Sequence, residues 1–253
     1  MINSSTELEN MHISPPDAKP VLYAGAVDKA RISIYNEDCL QALNAMADNQ
    51  FDLAIVDPPY GIGMAGGAET IYKKGRGGKG FNNVSNFSKK QWDNKAPNKE
   101  YWQQLFRVSK NQIVWGGNYF ADMLPISRGW IFWDKKISNA NNFKFSDGEL
   151  AWTSFDCILR RFTYDWIGFG YLNNPQGEKK IHPTQKPVSL YKWILKNYAE
   201  KGSKILDTHL GSGSIAIACW DMGYDLTAYE VDKEYFDNAC KRLETHKAQL
   251  TLW

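Results

Sequence analysis

The chain lacks most features of a secreted, membrane-spanning or zinc-bound protein. Its 253 residues hold four cysteines, Cys39, Cys157, Cys219 and Cys240, with no Cys-x-x-Cys pair and no histidine cluster. That excludes a disulfide framework and the usual zinc spacings, so no metal is expected. It points to a reducing cytoplasm, with the thiols buried as small apolar groups. No apolar run approaches the ~18 residues of a membrane span. The first residues lack the charged-then-apolar layout of a signal peptide, so no membrane partner is expected. Neither sign of charge dominates: the formal net charge is +2, too small alone to announce a nucleic-acid partner. No internal repeat is visible.

What is present is an alternation of strand and helix patterns. Residues 1–20 mix Asn, Ser, Glu, Asp and Pro and read as a loose tail; residues 21–253 read as one domain. Arg31–Tyr35 and Phe51–Val56 are strand-like, with helical spacing over Cys39–Ala47 between them. The second strand must stop at Asp57-Pro58-Pro59, because two prolines cannot continue a ladder. A helix over Glu100–Val108, a strand over Gln112–Trp115, a short helix around Tyr119–Met123 and a strand over Gly129–Trp133 follow. Strand-like pieces then recur at Leu150–Phe155 and Ile158–Tyr164. The last third predicts a helix opened by Pro187, a strand at Lys204–Leu206, a helix over Ser214–Met222, a strand at Asp225–Tyr229, and a final helix capped by Asp232. This order predicts a doubly wound, Rossmann-like α/β sheet, mostly parallel with an antiparallel edge strand.

Two motifs sit at strand ends, where such sheets bind ligands. The first is Asp207-Thr208-His209-Leu210-Gly211-Ser212-Gly213 between a strand and a helix, with Glu230 closing the next strand. Glycines permit close backbone approach to a ligand, and Glu230 can accept from two ribose hydroxyls. A glycine turn can also be a mere packing device. The position three after Gly213 is Ala216, so no third glycine holds a pyrophosphate. Asp207 would repel a phosphate and suits an ammonium. The pattern therefore favours S-adenosyl-L-methionine, which has no phosphate and carries an amine and a sulfonium, over a nicotinamide dinucleotide.

The second motif is Asp57-Pro58-Pro59-Tyr60. It could be a proline-stiffened loop, but its chemistry suits a base amine. An exocyclic amine is a weak nucleophile because its lone pair is delocalised into the ring. Acceptors on its two hydrogens, the Asp57 carboxylate and the Pro58 carbonyl, draw the nitrogen toward a tetrahedral state. The face of Tyr60 can stack on a base taken out of the helix.

On these residues the chain resembles the DNA amino-methyltransferases, which modify adenine N6 or cytosine N4. Asp57-Pro58-Pro59-Tyr60 is similar to their catalytic motif, and Asp207 to Gly213 to their cofactor motif. The order, catalytic motif first, is that of the permuted β class. His182-Pro183-Thr184-Gln185-Lys186-Pro187 and Asp38-Cys39-Leu40 match further segments of that family. The resemblance implies that Glu230 binds the ribose, and that Asp38 approaches the cofactor adenine. It also places Thr184 and Lys186 near the methionine end, Lys186 neutralising its carboxylate unless it is only a solvated helix start. Thr208 and His209 stand where the family often has Pro and an aromatic. His209 is read as lining the pocket rather than as a catalytic group.

The resemblance also implies double-stranded DNA as substrate and a bacterial or phage source. It leaves room for a homodimer and for an associated restriction endonuclease. Gly61–Lys99 carries eight Lys/Arg against two acids. Within it Lys73, Lys74, Arg76, Lys79, Lys89 and Lys90 are candidate phosphate contacts, or else a solvated flexible loop. Residues 134–181 are the candidate target-recognition insertion. There Arg160 and Arg161 could read guanine edges or touch phosphate, and some of Phe143, Phe145, Trp152, Phe155 and Trp166 must be core. Asp57 favours adenine, because the family uses Ser there more often for cytosine. Cytosine N4, an RNA or protein amine, a noncatalytic DNA-binding subunit and a nicotinamide dehydrogenase stay as alternatives.

Overall fold

The structure is a computed structural model and describes residues 19–24, 30–63, 90, 93–135, 146–164 and 181–250. Its strands are β1 (Val21–Ala24), β2 (Arg31–Tyr35), β3 (Phe51–Val56), β4 (Ser109–Trp115), β5 (Trp130–Asp134), β6 (Gly148–Thr153), β7 (Arg160–Thr163), β8 (Lys204–Asp207) and β9 (Asp225–Tyr229). Its α-helices are α1 (Cys39–Ala45), α2 (Lys99–Val108), α3 (Val188–Tyr198), α4 (Ser214–Met222) and α5 (Lys233–Leu250). The nine strands form one sheet in the order β1-β2-β9-β8-β3-β4-β6-β5-β7.

From β2 through β4 every neighbouring pair is parallel. β1, which the sequence did not single out, is an antiparallel edge strand. A second antiparallel strand, β6, lies inside the sheet between β4 and β5, where only an edge exception was expected. The strand pieces within residues 134–181 therefore extend the central sheet instead of forming a separate insertion. The rest of that span, with Phe143, Phe145 and Trp166, lies outside the described residues. Trp152 is core on one face of the sheet, and Phe155 packs partly buried against the core of the other.

Alternating side chains of the sheet feed two buried layers. Ile55, Ile113 and Ile205 join α3, α4 and α5 on one face; Ala54, Val56, Val114 and Leu206 join α1 and α2 on the other. Strands buried on both faces read as apolar runs, as β3 does. The helices are set by local chemistry. Asn98 accepts from the Tyr101 N–H at 2.9 Å to open α2, whose buried Tyr101, Trp102, Leu105 and Val108 share one face. Asp232 accepts from the N–H groups of Glu234 and Tyr235, as expected of a cap. The expected short helix near Tyr119 is a single 3-10 turn, Gly117–Tyr119.

The chain moves outward in opposite directions from β3 and β8: β3 is followed by its neighbour β4, and β8 by its neighbour β9. The crevice between the carboxyl ends of β3 and β8 is thus the topological switch point, where open α/β sheets bind their ligands. Asp57 follows β3 and Asp207 ends β8.

Candidate active site

Both motifs meet at that switch point. The carboxylate of Asp57 is held at each oxygen. The Tyr60 hydroxyl donates to Oδ1 at 2.7 Å, and Lys186 Nζ donates to Oδ2 at 2.5 Å. The turn itself is clamped by Asp93, whose Oδ1 accepts from the N–H groups of Tyr60 at 2.7 Å and Gly61 at 3.0 Å. Asp93 is buried, and sequence reasoning missed it. The available signal was one of only two acids in a basic segment.

Tyr60 is packed into the turn from one side. Its ring is stacked on Tyr119, centroids 4.7 Å apart and planes 14° apart, and meets Phe120 edge-on. A Cβ on Gly116, at φ +67°, would come within 2.2 Å of the Tyr60 ring, so only glycine allows this packing. One Tyr60 face is therefore already taken, and Tyr119, 48% exposed, is the outer ring of the pair. Burial and the Asp57 charge raise the Tyr60 phenol well above its ordinary value, so it stays a donor.

Lys186 joins the same cluster. It is 2% exposed, and its ammonium bonds Asp57 and lies 3.1 Å from Glu149 Oε2. Burial opposes its charge, but Asp57 and Glu149 outweigh that and raise its pKa. It is not a solvated helix start: its ammonium is paired with Asp57 and Glu149. Glu149, which the sequence did not single out, is partly buried beside it. Burial would raise this carboxyl, but Lys186 and Lys135 prevail and hold it at about 2.

The cofactor turn is built beside this cluster. Gly211 and Gly213 have φ of +54° and +72°, the left-handed region that favours glycine. Glu230 Oε2 accepts from the Gly211 N–H at 2.8 Å, and Oε1 from the Asp232 N–H at 2.9 Å. Each oxygen keeps a further lone pair for a ligand hydroxyl. Arg242, another unanticipated residue, donates from α5 to the Ser212 carbonyl and the Ser214 hydroxyl, both at 2.9 Å. Ser214 in turn donates to the Lys186 carbonyl, tying the turn to the His182–Pro187 segment. His182 packs under Gly211.

The remaining candidates divide. Asp207 is buried and accepts from the His209 N–H at 3.0 Å. Burial, then the nearby charges of Asp57 and Glu230, push its carboxyl up to about 8. His209 is pushed down to about 4 by burial, so it is neutral, and it lies edge-on to Tyr101. Asp38 caps α1 through the Leu40 N–H. Thr184 is exposed and contacts His182 Nδ1. Lys90 is not free to meet phosphate: Asp232 and Glu234 hold its ammonium at 2.6 and 2.8 Å, and it lies over the Tyr235 ring. Arg160 and Arg161 are exposed on the edge strand β7. Lys73, Lys74, Arg76, Lys79 and Lys89 lie outside the described residues.

An acid held for hydrogen bonding at one strand end, facing a glycine turn with a buried acid at the next, defines a Rossmann-like methyltransferase arrangement. The sequence profile of the DNA methylases of N6/N4 type matches residues 125–241. Type II methyltransferase M2.DpnII of Streptococcus pneumoniae is 25% identical, over 86% of this chain and 91% of its own. Type II methyltransferase M.HpaI of Haemophilus parainfluenzae is 24% identical, over 82% and 73%. These matches support a kinship with the N6/N4 DNA amino-methyltransferases. Solved structures share the fold. M1.HpyAVI in complex with SAM has 20% identity and a TM-score of 0.51, over 84% of this chain and 100% of its own. The cytosine-N4-specific PvuII DNA methyltransferase has 12% identity and a TM-score of 0.52, over 87% and 91%.

Proposed function

We propose that this chain is a site-specific DNA methyltransferase that uses S-adenosylmethionine to methylate the N6 amine of an adenine turned out of the duplex. The observation that carries the reading is the Asp57 carboxylate, fixed at both oxygens by Tyr60 and Lys186 at the switch point of the sheet.

The crevice fits that cofactor. Burial, then the nearby charges of Asp57 and Glu230, push the Asp207 carboxyl there up to about 8. Such a cluster repels phosphates and suits a cation, which weighs against a dinucleotide. Glu230 would take the ribose hydroxyls, Gly211 and Gly213 let the backbone approach, and Asp207 would face the positively charged end. When bound, S-adenosylmethionine supplies a methyl group made electrophilic by its sulfonium.

The chain's own groups then act on the amine. A carboxylate has about four lone-pair sites. Tyr60 and Lys186 use one on each Asp57 oxygen, which leaves acceptors for an amine hydrogen. The Pro58 carbonyl accepts the second hydrogen. The nitrogen lone pair would thereby be freed for in-line attack on the methyl group that the bound cofactor would supply, its sulfonium leaving as the neutral thioether. The proton that leaves the nitrogen passes to Asp57 and on to solvent. Lys186 balances the acid throughout, so Asp57 serves chiefly as an oriented acceptor. Positioning and fixed electrostatics supply the catalysis. Tyr119, stacked on Tyr60 and half exposed, presents the aromatic face on which the base can lie. Arg160 and Arg161 remain available to DNA, and the basic stretch Lys73 to Lys89 completes the proposed contact. A homodimer and an accompanying restriction endonuclease are the partners this reading admits.

Asp57→Ala should abolish labelled methyl transfer to DNA while calorimetry still detects cofactor binding. Methylation persisting in that variant would refute the assignment. Mapping the marks left in cells lacking base methylation decides the base, with N4-methylcytosine as the outcome that would replace adenine.

A further inference from the structure

We infer that Glu149 is a positioning residue for catalysis, acting on Asp57 through Lys186; this rests on the methyltransferase reading above. Four charged groups run in alternating sign along the carboxyl ends of the sheet. Asp57 Oδ2 lies 2.5 Å from Lys186 Nζ, Lys186 Nζ 3.1 Å from Glu149 Oε2, and Glu149 Oε1 2.6 Å from Lys135 Nζ. The sheet order explains the arrangement. β3, β4 and β6 are neighbours. The Lys186 ammonium lies 5.1 Å from the Trp115 ring centroid at the end of β4, the middle strand. It reaches Asp57 just past β3 on one side and Glu149 on β6 on the other. Glu149 is itself set by register, opposite Trp133 of β5, with Lys135 just beyond that strand.

A lysine bonded only to Asp57 would follow that carboxylate, because its four-carbon stem is flexible. Anchored by Glu149 from the far side, the ammonium becomes a fixed point and fixes Asp57 Oδ2. Glu149 also offsets part of the lysine charge, so Lys186 does not draw away the acceptor strength that Asp57 needs. Lys135 completes the balance: two positive and two negative groups share the part-buried site. The chain thus joins the catalytic acid to the interior antiparallel strand that sequence reading had not placed there.

The experiment compares the wild-type chain with Glu149→Gln and with the double variant Lys135→Met/Glu149→Gln. The double variant removes one charge of each sign and keeps the buried balance. Steady-state methyl transfer to DNA is measured with KM for S-adenosylmethionine and for DNA, beside thermal melting. The expected result is a kcat about tenfold lower or less in the double variant, from a displaced acid. Both KM values should stay within about twofold of wild type, as expected when only a transition-state interaction is lost. Wild-type kcat in the double variant, with loss confined to Glu149→Gln, would show a charge-balance role alone and overturn the inference. A kcat loss matched by equal rises in KM would also overturn it. If the double variant fails to fold, Glu149→Asp keeps every charge but withdraws the carboxylate by one methylene. It should then lower kcat at unchanged KM, and an unaltered kcat refutes the inference. A wild-type chain that methylates no DNA would instead refute the methyltransferase reading, so the two failures are told apart.

Discussion

Cofactor binding should release a proton, and Asp207 should be its source. In the free protein burial and the neighbouring acids push this carboxyl from 3.8 to about 8. At pH 7 it is therefore about nine-tenths protonated. A sulfonium or ammonium brought beside it favours the ionised form and draws the pKa back down. Binding at pH 7 must then expel about 0.9 of a proton, and affinity should rise about ninefold between pH 6 and pH 7. The same linkage governs stability. The unfolded chain holds this group near 3.8, so its contribution is full in acid and is lost as pH rises through about 8. Stabilisation by the cofactor should accordingly be larger at pH 8 than at pH 6. Calorimetry in buffers of different ionisation enthalpy counts the protons directly. Asp207→Asn, which keeps the shape and cannot ionise, should bind with no proton release and a flat profile over pH 6 to 7. Proton release that survives in Asp207→Asn, or none in the wild type, would refute the reasoning.

Two further perturbations test how the catalytic turn is held. Gly116→Ala places a methyl within 2.2 Å of the Tyr60 ring at a backbone φ of +67°. Displacing Tyr60 removes one of the two donors on Asp57, so kcat should fall about tenfold. The strained site should also cost roughly 1–3 kcal/mol in a melting experiment. Unchanged kinetics would show that Tyr60 does not orient the acid. Asp93→Ala strips the acceptor from the N–H groups of Tyr60 and Gly61, each worth about 1–3 kcal/mol when left buried and unpaired. Thermal melting should fall by several degrees, and Asp93→Asn, whose carbonyl still accepts, should recover most of it. Equal melting of the two variants would contradict the clamp.

Much of this site was legible because its parts are local. Asp57-Pro58-Pro59-Tyr60 had to end a strand, since proline offers no ladder donor. Gly211 and Gly213 had to mark a tight turn, and both adopt the left-handed backbone that favours glycine. Strand and helix patterns set the alternating α/β order, with Ser214–Met222 and Asp225–Tyr229 falling on the expected residues. β1 went unread because four residues are too few for a period to declare itself.

What only the tertiary structure decided is which charges meet. Lys186 stands 129 positions from Asp57, and nothing local distinguishes a lysine aimed at a cofactor from one aimed at an acid. Glu149 reaches it because β6 enters the sheet beside β4, a pairing set by long-range packing and not by any motif. Lys90 belonged by composition to a basic stretch, yet Asp232 and Glu234 on the last helix and its cap claim it. Period and turn chemistry act over a few residues, and so can be read along a chain. Coulomb pairing acts through space, and its partners exist only once the sheet order is fixed.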